Sequence, residues 1–425
     1  MAELQRLGFS YFEHETTPWN GLVRDSTKAR SPATIAGSGF ALSCYPVAVE
    51  RGYLSRADAV ARTLTSLRFL WEAPQNRTAK ATGYRGFFYH FLDMTRGTRA
   101  RWSELSTVDS AILLAGALVA AAYFDRESAD ETEIRDLADA IYRRADWQWA
   151  SPRAPAISHG WRPYRGFIGY DWRGYNEALF LYLLALGSPT FPAPASAWTE
   201  WTSGYQWRKL YGHEFLYGGP LFFHQYSHIW VDFRGVQDEY MRGRGIDYFE
   251  NSRRATLVQR EYARRNPRGL AGYDEWAWGI TASDGPGPIE TEDGAPATRA
   301  WSYRARGAPF GPDDGTLAPT AVAACLPFAP DVVASSLASL RERYPAVVGK
   351  YGLTSSFNPS RAGKSGTSYW VSPYYAIDVG PAVLMTENHQ TGLIWRLMRK
   401  NPYLRLGLER AGFAGGWLDQ PALGG

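Results

Sequence analysis

A helix that is apolar on every side has to be enclosed by other elements, and the stretch from Ala178 to Leu186 is of that kind. Leu179, Phe180, Leu181, Leu183, Leu184 and Leu186 leave no polar stripe to face water, so the segment is predicted as a buried helix. Gly187 and Pro189 are expected to end it, because Gly accepts a left-handed cap and Pro cannot continue the hydrogen-bond ladder. Directly before it runs Tyr170-Asp171-Trp172-Arg173-Gly174-Tyr175-Asn176-Glu177. A carboxylate at the mouth of a buried helix is partly desolvated, which raises its pKa and favours the protonated form that a general acid needs. Glu177 fits a structural role equally well, as an acid that complements the helix dipole at an N-terminus. With Asp171, Trp172, Tyr175 and Asn176 around it, the two readings stand level.

The rest of the chain repeats the helical pattern. Residues 3–13 carry Leu4, Leu7, Phe9, Tyr11 and Phe12 in an amphipathic arrangement. Pro32 opens a helix in which Gly37 and Gly39 point to a close backbone approach, and Ser55 caps the next, with Leu64, Leu67 and Leu70 on one face. Ser106-Thr107-Val108-Asp109 is a capping box before an Ala- and Leu-rich run. In it Asp109 has a structural duty that does not exclude a chemical one. Helices are expected over 130–146, after Pro194, over 221–234 with His224, His228 and Asp232 on one face, and over 250–265, 318–326, 331–343 and 380–398. Residues 83–96 read as extended chain or a small hairpin at a rim, and 272–286 as an aromatic, acidic loop. About a dozen helices, loops alternately short and long, and no Val/Ile-rich strand series predict an all-α fold, a closed ring of helical hairpins in one domain over 1–425.

Composition narrows the ligand. Of 425 residues 45% are hydrophobic and 21% charged, ordinary for a globular protein, but 15% are aromatic, with 17 Trp and 26 Tyr. Trp and Tyr stack on and hydrogen-bond to flat amphipathic ligands, among them sugar rings and nucleobases. A net charge of +4 without a basic block excludes a nucleic-acid groove. No apolar run has the length of a membrane span, and Met-Ala-Glu-Leu-Gln-Arg lacks a signal-peptide core, so either a cytoplasmic protein or a mature exported domain is expected. Cys44 and Cys325 could be buried thiols or one long-range disulfide.

Cofactor motifs fail on inspection. Gly363-Lys364-Ser365 has Asn358 where a phosphate loop needs its leading Gly, and is expected as a surface loop. Gly37-Ser38-Gly39 is followed by Leu42 where a dinucleotide fingerprint needs Gly. His224, His228 and Asp232 lack a further motif to complete a metal shell, so neither metal nor cofactor is expected. What remains is a set of acids embedded in aromatics: Asp109, Asp171, Glu177, Asp232, Asp274, Glu275, Asp284, Asp378 and Glu387. Glycoside hydrolysis requires two such acids, one protonated and one ionised, in an aromatic cleft.

Six motifs, in order, carry a resemblance over nearly the whole chain: Gly21-Leu22-Val23-Arg24-Asp25, Ser106-Thr107-Val108-Asp109, Tyr175-Asn176-Glu177-Ala178 with Leu184-Ala185-Leu186-Gly187-Ser188-Pro189, Ser227-His228-Ile229-Trp230-Val231-Asp232-Phe233-Arg234, Trp278-Gly279-Ile280-Thr281-Ala282-Ser283-Asp284-Gly285, and Glu387-Asn388. The chain resembles the bacterial family of putative glucoamylases, whose relatives include endo-β-1,2-glucanases and sophorose-releasing enzymes. The resemblance implies an (α/α)6 barrel with long aromatic loops on one face, Glu177 as general acid and Asp109 on the donor or base side. Related transglycosylase domains imply an acid in the region of Glu275. Asp378 completes the expected catalytic set, and Asp171, Trp172, Tyr175, His228, Asp232, Trp278, Asp284 and Glu387 the expected substrate-binding set. The implied substrate is a glucan or gluco-oligosaccharide, β-1,2-linked, cleaved with inversion outside the cytoplasm. A retaining transglycosylase and a catalytically inactive carbohydrate-binding protein are the alternatives.

Overall fold

The computed structural model describes residues 1–287, 289–290, 296–298, 302–363 and 367–420. Lys364 and Ser365 of the expected Gly363-Lys364-Ser365 loop lie outside the described residues. Helices dominate. One hydrophobic core runs through them from Phe9 to Leu418.

Two kinds of helix build this core. Arg56–Glu72 and Ala129–Arg143 are amphipathic, each started by a serine whose hydroxyl accepts the backbone N–H three residues on, Ser55 from Asp58 and Ser128 from Glu131. They pack on Ile35–Glu50 and Thr107–Tyr123, which are apolar almost all round and buried over nearly their full length. Contacts among such inner helices run in a circuit. Ile35–Glu50 packs on Thr107–Tyr123, and that on Leu179–Gly187. Phe180 N donates to Ser227 Oγ of the helix Tyr226–Trp230, and Gln225 Nε2 donates to the Ala321 carbonyl in Pro319–Ala324. The last of these packs on Ala376–Gln390, which returns to Ile35–Glu50.

The closest crossing lies between Gly39 and Gly116. A methyl group at Gly39 would run into the carbonyl of Ile112, and one at Gly116 into the carbonyl of Gly39. The close approach expected at this glycine is therefore to the Thr107–Tyr123 helix. Gly187 is a correction. Its backbone is not left-handed, the helix includes it, and its missing side chain admits the Tyr403 carbonyl of the helix Pro402–Arg410.

Other expectations are revised. Residues 33–34 pair with 91–92 as strands, so the helix after Pro32 begins at Ile35. The segment 221–234 is not one helix: Leu221–His224 is 3₁₀, Tyr226–Trp230 is α-helical and Asp232 lies beyond its end, so His224, His228 and Asp232 share no continuous face. Residues 380–398 divide at Gly392, whose positive φ starts the helix Leu393–Arg399, and Glu387 and Trp395 fall on different helices. The loop after Trp201 contains the hairpin 207–210/213–216. The all-α expectation also misses a five-stranded antiparallel sheet, in the order 83–84, 87–89, 105–106, 160–162, 166–167. Its short strands are built from aromatic, Gly and Ser residues without apolar alternation. Cys44 and Cys325 are buried free thiols, and among the described residues no helix is long and apolar enough to cross a membrane.

Because the Gly39 crossing is backbone against backbone, Gly39→Ala is expected to destabilise by at least about 1–3 kcal/mol, the cost of overpacking a core. Gly243→Ala, in a helix with open space around the added methyl, is expected to be neutral or stabilising. Thermal unfolding of the two variants tests the contrast, and equal melting temperatures would refute it.

Candidate active site

Three inner helices begin at one cleft with an acid each. The strand 105–106 leads directly into Thr107–Tyr123, and Ser106 accepts from Asp109 N while its hydroxyl donates to Asp109 Oδ2. The register Phe88↔Ser106 and Ser106↔Gly160 fixes this corner in the sheet. Glu177 stands just before Leu179–Gly187, in a turn that Asn176 closes by accepting from Ala178 N at 2.9 Å. Asp378 lies in the first turn of Ala376–Gln390.

The cleft they border encloses about 680 Å³. Asp25, Glu104, Asp109, Glu177 and Asp284 supply its acids, and Lys28, His90 and Arg101 its cations. Trp172, Phe222, Tyr226, Tyr303 and Tyr375 are among its aromatic walls. Trp172 is fixed from behind, since its indole N–H donates to Thr107 Oγ1 at 3.0 Å and its ring stacks on His159 at 3.7 Å. Tyr226 donates to the Ile377 carbonyl at 2.6 Å. Lys28 Nζ pairs with Asp284 Oδ2 at 2.7 Å and lies over the Tyr375 ring.

Electrostatics separate these acids. Burial pushes Glu177 up to about 8, against a hydrogen bond from its own backbone N–H and with a smaller further rise from the charge of Asp109. Its Oε2 is buried without a hydrogen-bond partner. A carboxyl that is protonated at neutral pH, with one oxygen free and facing a cleft, is equipped to give up a proton. Burial also pushes Asp378 up to about 8, against a hydrogen bond from Ser355 and with help from Asp25 and Asp284. Asp25 is pushed up by burial to about 6, against the pull of His90 and Arg101. His90 is held at about 9: burial would lower it, but Asp109, Glu104 and Asp25 together outweigh that cost. Glu104 is held at about 2, since its pairing with His90 overcomes burial.

Of the residues expected from sequence, Glu177, Asp109, Trp172 and Asp284 line the cleft, and Asp378 is buried immediately behind it beside Ile377. The others do not line it. Glu275 sits on a remote loop where its backbone carbonyl accepts from Arg260. Asp171 is held by both arms of Arg153. Tyr175 is buried among Tyr205, Tyr248 and His224. His228 is enclosed by Phe233, Phe249 and Phe328 with Nε2 on Ser252 Oγ at 2.9 Å, and burial pushes it down to about 3. Asp232 is paired with Arg234 and Arg399. Trp278 donates to Ser336 Oγ inside the core, and Glu387 is held by Arg51, Gln5 and Thr391. Cleft residues not anticipated include Asp25, Lys28, His90, Glu104 and Tyr303. Asp25 ends one of the resemblance motifs, and His90 and Glu104 flank the capping box, so position was the available signal. Among the described residues no group of three His, Cys, Asp or Glu side chains could hold a metal ion.

Residues 169–402 match the family described as "Putative glucoamylase", and the chain belongs to that family. It is similar over 96% of its length, at 28% identity, to an exo β-1,2-glucooligosaccharide sophorohydrolase (non-reducing end) of Parabacteroides distasonis, and spans 57% of that relative's length. Among solved structures, a putative glucoamylase from Bacteroides uniformis shares 30% identity at a TM-score of 0.85, with 98% of this chain and 97% of that one covered. An endo-β-1,2-glucanase from Chitinophaga pinensis, in complex with sophorotriose and glucose, shares 26% at 0.84, with 98% of each chain covered.

The raised Glu177 has a measurable consequence for stability. Its carboxyl titrates from an ordinary value of 4.5 when unfolded and near 8 when folded, so between those values the folded state binds more protons. Stability from this group is therefore lost as pH rises from about 4.5 to about 8 and stays level above. Glu177→Gln has no such group, and is expected to become more stable than the parent across that window, by on the order of a few kcal/mol at the top of it. Melting curves of both proteins at a series of pH values test this, and a constant difference would refute it.

Proposed function

We propose that this chain is a glycoside hydrolase acting on β-1,2-linked gluco-oligosaccharides, with Glu177 as general acid. The observation that carries the proposal is the Glu177 carboxyl, one of whose oxygens is buried without a hydrogen-bond partner, kept protonated at neutral pH by burial and the charge of Asp109 in an aromatic cleft. In this reading Glu177 protonates the glycosidic oxygen as the bond to the anomeric carbon breaks. Asp109, held by Ser106 and 3.8 Å from the His90 ring, directs the attacking water. Trp172, Tyr226 and Tyr303 offer faces and hydroxyls to sugar rings. Asp378, buried behind the cleft beside Ile377 and protonated at neutral pH, leaves that wall uncharged.

The architecture behind the reading is a single (α/α)6 barrel. The circuit of inner-helix contacts from Ile35–Glu50 round to Ala376–Gln390 supports it, as do the amphipathic helices packed outside. The β-1,2 linkage rests on the sophorohydrolase and the endo-β-1,2-glucanase the chain resembles. Inversion is favoured because the retaining alternative draws its second acid from the region of Glu275, outside the cleft lining, and an inverting pair needs only about 6.5–9.5 Å between carboxyls to admit water. Export from the cytoplasm remains part of the proposal by family resemblance alone.

Incubation with β-1,2-, β-1,3-, β-1,4- and α-linked glucans, with products separated by size, is expected to give release from the β-1,2 substrate only. Release from an α-linked glucan instead would overturn the linkage. Glu177→Gln is expected to lower turnover by about 10²- to 10⁴-fold with oligosaccharide affinity nearly kept. Near-parental turnover would remove Glu177 from the chemistry. Proton NMR of the first-formed product is expected to give the α-anomer; a β-anomer would assign retention.

A further inference from the structure

We propose that His90 is a positioning residue of this cleft: clasped between Glu104 and Asp109, it sets a positive charge beside Asp109 and holds that side chain in place, and thereby divides the roles of Asp109 and Glu177. The inference rests on the pairing of those two acids put forward above.

The geometry is specific. His90 Nδ1 lies 2.9 Å from Glu104 Oε1 and 3.8 Å from Asp109 Oδ2, so one N–H faces both carboxylates. The ring plane is set by stacking on Phe91 at 4.0 Å and 15°. The backbone is pinned on both sides, with His90 N donating to the Glu104 carbonyl and Ile35 N donating to the His90 carbonyl. Asp25 adds a third negative charge facing the ring, and Arg101 is the cation that shares Asp25 with it. Arg162 reaches Glu104 from the far side at 3.9 Å.

Three acids around one imidazole hold it charged through neutral pH, and Glu104, neutralised by that charge, is withdrawn from proton transfer. The role left to His90 is electrostatic. A fixed cation 3.8 Å from Asp109 Oδ2 attracts that carboxylate, and the charge of Asp109 raises the proton affinity of Glu177. The imidazolium thus reaches the general acid through Asp109 without touching the sugar.

The test is the pH dependence of kcat/KM on a β-1,2-linked gluco-oligosaccharide for the parent, H90Q, H90K, E104Q and D109N. With the cation removed, the acidic limb of H90Q is expected to move up by roughly one pH unit, the lower end of what an adjacent opposite charge exerts. The alkaline limb set by Glu177 is expected to stay near its parental position. H90K, which restores a cation, is expected to bring the acidic limb back toward the parent, and E104Q, in which the imidazole stays charged at acidic pH while one nearby negative charge is lost, is expected not to move it up. Where H90Q does not fold, E104Q and the imidazole proton resonance of His90 in the parent supply the reading, with titration near 9 expected and titration near 6.5 overturning the proposal. A uniform loss of rate in H90Q with both limbs unmoved marks a merely structural residue and also overturns it. D109N with parental turnover instead overturns the pairing of Asp109 with Glu177, and is distinguishable because the His90 titration is read in the parent, where Asp109 is in place.

Discussion

The cleft depends on the dryness of the helices that open onto it. A helix N-terminus ordinarily stabilises a carboxylate, because its free N–H groups and dipole favour negative charge. Thr107–Tyr123, Leu179–Gly187 and Ala376–Gln390 each present an acid at or just before the first turn, but behind that turn the residues are almost wholly buried. For Glu177 and Asp378 loss of water outweighs the helix end, and both are pushed up to about 8. Shortening the apolar runs or hydrating the inner layer would return these groups to ordinary carboxylates. The core and the chemistry are in this sense one feature.

That link explains why the position of Glu177 was legible from the chain alone. The unbroken apolar run after it forces burial, burial fixes the protonation state, and both follow from local sequence. The Ser106–Asp109 capping box was legible for the same reason, being a contact between residues three apart. Helix placement was read well where a serine cap and an amphipathic stripe mark it, as at Ser55. It failed where distant chain decides the outcome. Gly392 splits an apparently continuous helix, and Gly187 serves a crossing with a helix more than two hundred residues away. The five-stranded sheet could not be read because its strands are two or three residues long and carry no alternation to detect.

The acids that were expected in the cleft and are elsewhere form a coherent group. Asp171, Asp232 and Glu387 each satisfy an arginine, and all three lie in aromatic surroundings that sequence alone does not distinguish from a binding surface. A buried carboxylate is tolerated when paired and hydrogen-bonded, and each of these has such a partner. Glu177 does not. The discriminating property is an oxygen left without a donor, a fact about three-dimensional neighbours that no spacing of residues encodes. His90 and Glu104 escaped notice for the converse reason, since their significance is mutual and appears only when the strand 105–106 is laid beside 87–89.

Gln5, in the first helix, donates to Glu387 across 382 positions of sequence, and the helix Ala2–His14 packs on Ala376–Gln390. The helix Ala2–His14 thus meets this partner only after the long stretch between them has been made. The charge of Asp25 likewise helps to raise Asp378, near the opposite end of the sequence. Contacts of such separation are slow to form because a long loop must close before anything is gained. Until then Phe9 and Phe12, side chains buried in the finished fold, lack the cover that Ala376–Gln390 supplies.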